Sequence, residues 1–472
     1  MRRTLFHPIF LLLLGTSLLT SCASARKYQK AEALYFTGQY AQAAQRLDTE
    51  KVSVKTVLLH LYAGSSWLMA GNLGKALAAF RRAEHGMEMQ DEKIFLGDSY
   101  LARTYDGIQM LTYQAIAMLA LGKSENARVA FNRLEERLGR ASRRSIRAIE
   151  KHQKEVMERC QEKSNAQASV AFSRAEGDSR NQAALTEYHH LLDTWGAYAN
   201  YENPASRFLS GIYRLFYRQD GDASDAEKAV FQMKRTVGMT DSPVAKQGYH
   251  LAEAVANGHD GKGKSFTQAN LNDCLAVIFE NGLGAQKGEW RFDLLIPLER
   301  PLYVGIALPF LAKRQEAYPY LTFRDGEISL GRTEPLCDVD RIVATEFRQE
   351  LPGIVAAAIT ETVIKVVLQV VITHEVAKEY GAGYGALAGV AASLLSAGTT
   401  YADVRHWNLL PKEYQGAFIH KPTSGKLSID TPEGASLFEV TVPKEGPAIL
   451  FVKIPSRRLP AICLLMGPRI HP

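Results

Sequence analysis

One spacing recurs through the first half of the chain and constrains its fold more than any other feature. Gly38 is followed by Ala43, Leu47 and Glu50; Gly71 by Ala76, Phe80 and Ala83; Gly122 by Ala127, Phe131 and Leu134; and Gly221 by Ala226, Val230 and Met233. Each set keeps offsets of five, nine and twelve, which place the residues after the glycine on one face of a helix. A glycine ends a helix readily because it enters the left-handed conformation without a Cβ penalty. The alanine then allows close approach of the next helix, and the large apolar residue fills the groove between the two. Upstream stretches such as LLHLYAGSSWLMAGN from Leu58 and LTYQAIAMLALGK from Leu111 supply the preceding helices. From Tyr28 to about Val255 the chain therefore reads as helix pairs, rich in Ala, Leu, Tyr, Gln and Arg.

This pattern resembles the second half of tetratricopeptide repeats. Gly38 and Gly71 are 33 residues apart, close to the roughly 34 of that repeat, but the next intervals are 51 and 99, so the array is interrupted by longer helices. The expected class is α+β: a TPR-like α-solenoid over 22–255, a flexible linker over 256–270 and a mixed region over 271–472. An ordinary helical bundle is the alternative for the first part. Stacked helix pairs leave a concave groove suited to extended peptides or partner helices. The run LEERLGRASRRSIRAIEKHQKEVMERC, residues 134–160, reads as a long solvated helix laced with ion pairs.

The first residues address the chain. Met1, Arg2 and Arg3 make a positive start, Ile9 to Leu14 with Leu18 and Leu19 form a short apolar run, and LLTSC follows, so 1–21 reads as a signal peptide. LTSC resembles the lipobox of bacterial lipoproteins, which implies that Cys22 carries acyl chains and tethers the protein to a bilayer. Ala23 and Ser24, with no Asp, imply onward transport to the outer membrane, facing the periplasm. An ordinary secretory signal with a disulfide-bonded cysteine is the alternative. The formal charge of +6 falls to +4 without Arg2 and Arg3, too small a surplus over 472 residues to suggest nucleic acid as a partner. Cys160, Cys274, Cys337 and Cys463 allow three full disulfide pairings that sequence does not distinguish, and buried free thiols fit equally well.

GHDGKGKS, from Gly258 to Ser265, matches the phosphate-cradle spelling GxxxxGKS. A phosphate cradle needs a strand before the loop and a helix after it. Here the preceding GYHLAEAVANG is helical, and the strand CLAVIFE begins by Cys274, leaving room for only about two helical turns. No apolar strand ending in Asp follows in a suitable place, and a periplasmic address removes the nucleotide supply. The loop reads as a mobile linker, and no cofactor is expected.

Beyond it the texture changes to strands: CLAVIFENGLG, EWRFDLLIPL, LYVGIALPFL and YLTFRDGEISLG, with Asp325–Gly326 as a two-residue hairpin signal. A helical hairpin is expected over 338–400, with Asp338 as its cap. Glu361, Lys365, Gln369 and Thr373 form a narrow polar stripe on its otherwise apolar first arm. Burying Glu361 and Lys365 in lipid would cost about 2.5–3.5 kcal/mol each, which favours a core helix, with a membrane hairpin over 354–397 as the rival. GAFIHKP, GKLSID, SLFEVTVP and AILFVKIP then make a terminal β-rich segment over 415–466, expected as a small terminal sheet or sandwich whose strands complete the domain's own sheet, with edge pairing to another chain as the alternative.

No catalytic constellation stands out. HEVAK at His374 has Lys378 where a zinc-binding helix would carry its second histidine, and His189 and His190 face different directions on a helix. The least generic polar stretch is YADVRHWNLLP, where Asp403, Arg405 and Trp407 form a candidate interaction motif. Its competing reading is an Asp/Arg pair locking a helix end over a packed tryptophan. With NPASRFLSGIY, LAVIFENGLG, LYVGIALP and CDVDRIVATEF, the chain from about Cys22 to Val452 resembles a family of bacterial lipoproteins with tetratricopeptide-like repeats. That resemblance implies an envelope location and a two-part layout, and it carries over no catalytic residue. The function expected is a lipid-anchored periplasmic scaffold that binds envelope proteins through its helical groove. A periplasmic enzyme on cell-wall or surface polysaccharide, or a membrane-embedded component of an envelope complex, are the alternatives.

Overall fold

Gly38, Gly71 and Gly122 sit at φ 77°, 73° and 68° in the computed structural model, all in the left-handed region. At each, two backbone bonds close the helix in the same way. The glycine N–H reaches the carbonyl three residues back, and the next N–H reaches five back, as in Gly71 to Leu68 at 3.0 Å and Asn72 to Trp67 at 2.9 Å. This double closure satisfies carbonyls that a helix end otherwise leaves orphaned. It generates the pairs α1 (28–35) with α2 (Tyr40–Leu47), α3 (Val57–Met69) with α4 (Leu73–Asp91), and α5 (Thr104–Ala120) with α6 (124–140). Ala43, Ala76 and Ala127 are all wholly buried, as are Phe80 and Phe131. Phe80 packs onto Gly64 of α3, where a methyl group would stand 2.4 Å from its ring.

The structure describes residues 28–48, 56–91, 100–140, 166–196, 202–218, 223–258, 271–298, 301–380 and 402–468, with a few isolated positions between them. Five more helices precede the strands: α7 (Ala166–Gly177), α8 (Ser179–His190), α9 (Pro204–Phe216), α10 (Ala223–Met239) and α11 (Pro243–Ala256). Asp178, Asn203 and Ser242 cap α8, α9 and α11 through their side-chain oxygens, and Pro204 and Pro243 open the last two. Gly221, the start of the fourth spacing, lies outside the described residues. Its partners Ala226 and Met233 are buried, Met233 against Gly211 of α9.

A five-stranded sheet in the order β11-β10-β1-β7-β6 forms the centre. Its members are β1 (Cys274–Asn281), β6 (Glu334–Asp338), β7 (Glu413–His420), β10 (Ala448–Ile454) and β11 (Ile462–Met466). Along β1, Cys274, Ala276 and Ile278 face the helices, whereas Leu275, Val277 and Phe279 face a second, four-stranded sheet. That sheet runs β5-β4-β8-β9, from β4 (Thr322–Asp325), β5 (Ile328–Arg332), β8 (Lys426–Asp430) and β9 (Ser436–Thr441). A long ribbon of β2 (Gln286–Ile296) and β3 (Leu302–Ala312) stands apart. Helices thus cover one face of the central sheet and a second sheet covers the other. With 53% helix and 22% strand, the chain is a mixed helix-and-sheet protein.

The strands depart from the sequence reading in three places. The terminal segment forms no separate small sheet or sandwich; its strands complete the domain's own sheets, β7, β10 and β11 joining β1, which is buried on both faces, and β8 and β9 joining β4. The hairpin turn is Gly326–Glu327 rather than Asp325–Gly326, because Asp325 pairs with Ile328. The Asp325 carboxylate is engaged by the backbone and hydroxyl groups of Thr423 and Ser424. Residues 334–338 form β6, an edge strand directly before the long helix α12 (Val339–Tyr380), whose Arg341 N–H is accepted by Asp338 at 3.3 Å. The second arm of the expected hairpin, 381–400, lies outside the described residues. Glu361 is exposed, Val363, Val366 and Val367 are buried, and among the described residues no helix is long and apolar enough to cross a membrane.

Because a Cβ at Gly71 would meet nothing within 4 Å, the cost of filling that position is purely conformational. Gly71→Ala is expected to lower stability by about 1–2 kcal/mol, read as a fall in the urea midpoint with an unchanged slope.

Candidate functional site

Burial of apolar side chains does not explain how the helices are positioned on the central sheet; a polar row does. Glu280 of β1 lies directly beside Lys453 of β10 and Tyr414 of β7 in strand register. All three point to the helical face. From α5, Gln109 and Tyr113, four residues apart on one helix face, reach down onto them. Lys453 Nζ stands 2.6 Å from Glu280 and 2.7 Å from the Tyr113 hydroxyl. Tyr113 and Gln109 donate to the two carboxylate oxygens at 3.0 Å each, and Tyr414 donates to the one that Gln109 uses. Glu280 and Lys453 are essentially without solvent contact, so the pair depends on these bonds to offset the loss of water. Each carboxylate oxygen of Glu280 is thus bonded twice.

An open groove lies on the helical side, between α6, the start of α9 and α10. It encloses about 610 Å³ and is bounded by Glu135, Arg207, Glu227, Phe231 and Arg235. Its floor is built from charges that neutralise one another. Glu202 is held by Arg207 at 2.5 Å and by Arg235 at 2.7 Å, and Arg207 also donates to Gln232 at 2.7 Å. Glu135 accepts from Ser210 at 2.5 Å and from Arg214 at 3.1 Å. Arg214 in turn pairs with the buried Asp225, whose carboxyl is held below the usual range because the hydrogen bonds from Arg128 and Arg214 outweigh its burial. On the rim Phe231 is 56% exposed, an unusual position for a large aromatic side chain. The chemistry on offer is shape, an aromatic anchor and hydrogen bonds. Among the described residues no group of His, Cys, Asp and Glu is placed to hold a metal ion.

The residues singled out from sequence fare differently. Cys22 lies outside the described residues. Trp407 is wholly buried, with its Nε1 donating to Ser65 at 3.1 Å and its ring against Phe80 and Tyr113, so it is a core residue and not a surface anchor. Asp403 and Arg405 bind each other at 2.8 Å near the surface. The segment around them is stitched to the first helices: Tyr62 donates to the His406 carbonyl at 3.1 Å and accepts from the Asn408 N–H at 3.1 Å, and Asn408 donates to Glu32 at 2.7 Å. The packed Trp407 agrees with the packing reading of YADVRHWNLLP, but among the described residues no helix end lies at the Asp403–Arg405 pair, where 402–406 have no regular structure. Cys274, Cys337 and Cys463 are free thiols, each pushed well above its ordinary range by burial. Cys160 and the loop 259–270 lie outside the described residues, and the element that leads into that loop is α11, a helix where a phosphate cradle needs a strand. Phe231 was not found from sequence, since its helix position looks no different from that of a core residue.

Compared with family models, with curated proteins and with solved structures, the chain matches none.

Removing one member of the buried pair exposes the other to a medium it cannot tolerate. Lys453→Met is expected to cost about 3–5 kcal/mol, and adding Glu280→Gln to it should recover a large part of that loss. Chemical denaturation of the two single variants and the double variant checks this.

Proposed function

We propose that this protein is a lipid-anchored periplasmic scaffold, tethered at Cys22 to the outer membrane, that binds envelope proteins through the groove between α6, α9 and α10. The observation that carries the reading is that groove: about 610 Å³ with an exposed Phe231 on its rim and a floor of charges already paired with one another. Such a surface recognises a segment of another protein by burying an aromatic anchor, and it presents no activated nucleophile or acid–base pair. On this proposal the glycine-closed helix pairs are the units of an interrupted tetratricopeptide-like array, and the chain is a member of the lipoprotein family it resembles. The rigid junction between helices and sheet suits a scaffold, because binding then costs little reordering.

Crosslinking in intact envelopes followed by affinity recovery tests it. The wild-type chain is expected to bring down a defined set of proteins, and Phe231→Glu to reduce their recovery at least tenfold while leaving the fold unchanged, since Phe231 is exposed. Cys22→Ser should shift the protein from the membrane fraction to the soluble one. Equal recovery by the Phe231→Glu protein, or recovery of a sugar or lipid in place of any protein, overturns the proposal.

A further inference from the structure

Away from the groove, the first turn of α5 gathers more buried charge than its partners can satisfy. Asp106 takes the Arg103 N–H at 2.8 Å and the Tyr100 hydroxyl at 2.5 Å. The neighbouring Thr104 N–H goes to Glu346 of α12 at 2.9 Å, and one turn further along α12 Glu350 pairs with the Arg103 guanidinium at 2.9 Å. Three carboxylates from two helices therefore meet one helix N-terminus and one directly paired cation. Asp106 and Glu346 are 0% and 4% exposed, and each keeps one oxygen, Oδ1 and Oε2, with no hydrogen-bond partner among the described residues. A buried, ionised and half-satisfied carboxylate is unstable, and a proton removes most of the penalty.

The other groups facing this turn leave those two oxygens without a hydrogen bond among the described residues. Lys287 of β2 brings its amine to 5.3 Å from the ring of Phe347, the residue after Glu346, and it is itself so buried that its pKa falls to about 8. From α6, the Arg137 guanidinium lies against Gly107, and burial lowers its pKa although the charges of Glu84, Asp106, Glu346 and Glu88 work to raise it. Tyr105 bonds to His406 Nδ1 at 3.2 Å, and the opposite ring nitrogen of His406 is buried without a partner among the described residues. Asp403 adds a further negative charge near Lys287.

We propose that this junction is a proton-operated latch: a proton held by the Asp106–Glu346 pair keeps α12 seated on the first turn of α5, and its release to solvent loosens the two helices. Burial, acting against weaker help from hydrogen bonds and Arg103, raises Asp106 to about 6; burial and then the Glu350 charge raise Glu346. Both carboxyls bind protons more tightly in the closed junction than in an open one. Their favourable contribution is therefore full near the ordinary carboxylate range and is lost as pH rises through their elevated values. His406, which burial keeps neutral, pulls the other way below its ordinary value of 6.5, so the raw pH profile of the protein mixes the two effects.

A comparison with Glu346→Gln removes the histidine contribution, because both proteins contain it, and glutamine can still accept from Thr104. Hydrogen exchange of the amides in 101–110, corrected for intrinsic rate, is measured on the full chain at pH 5 and pH 7.5. Wild type and variant are expected to open alike at pH 5, and the wild type at least tenfold more than the variant at pH 7.5. Carboxyl-labelled glutamate followed by NMR should show one glutamate titrating far above the others, absent in the variant. If Glu346→Gln fails to fold, the wild-type titration decides alone. Glutamates that all titrate below about 5.5, or a wild-type-to-variant opening ratio unchanged between the two pH values, would overturn the latch.

Discussion

Everything in this structure is arranged around one buried carboxylate. Glu280 sits near the end of the central strand with Lys453 on one side and Tyr414 on the other, and α5 lays Gln109 and Tyr113 across all of them. Two charges cannot be buried in a protein core unless their remaining bonds are made, so the strand order, the register and the seating of α5 must all be right at once. A one-residue slip of β1 would turn Glu280 toward the second sheet, among Leu450, Val452 and Phe323. The row therefore acts against wrong pairings at least as much as it stabilises the right one.

The same wiring explains why the helical and strand-rich halves do not behave as separate bodies. Their side chains form one continuous apolar cluster that includes Phe80, Tyr113 and Phe208 together with Ala276, Phe418 and Phe451. Trp407, far along the chain, completes the core under α3 and α5, and Ser242 at the start of α11 donates to the Pro335 carbonyl of β6 at 2.7 Å. A core built this way holds the groove still. The exception is the α5–α12 junction, where Asp106 and Glu346 each keep a buried oxygen with no hydrogen-bond partner among the described residues.

Much of the local structure was legible in the residues. The glycine spacing marked where helices end, because left-handed closure is a property of the residue itself. The apolar runs at β1 and β10 were visible as strands, and Asp338 as a cap, for similarly local reasons. What failed to show was partnership. YADVRHWNLLP admitted both a surface motif and a packed tryptophan, because nothing local reveals that Ser65, more than 300 positions earlier, waits for the indole N–H. The terminal strands were legible as strands that complete the domain's sheet, but not which ones pair with β1 and which with β4, because strand pattern says nothing about which neighbour a strand will choose. Phe231 escaped notice because helical spacing does not say which turn lacks a covering element.

What the sequence by itself determined is the series of helix closures, the alternation of apolar residues along the strands and the polar residues that had to be buried somewhere. What only the tertiary structure decided is which of those residues meet: the insertion of β7 and β10 beside β1, the tryptophan in the core, the groove and the crowded acids at α5. The physical reason is range. Backbone conformation and face periodicity follow from neighbours within a turn or two, whereas the pairing of Glu280 with Lys453 joins positions 173 residues apart and becomes favourable only when the whole sheet is in place.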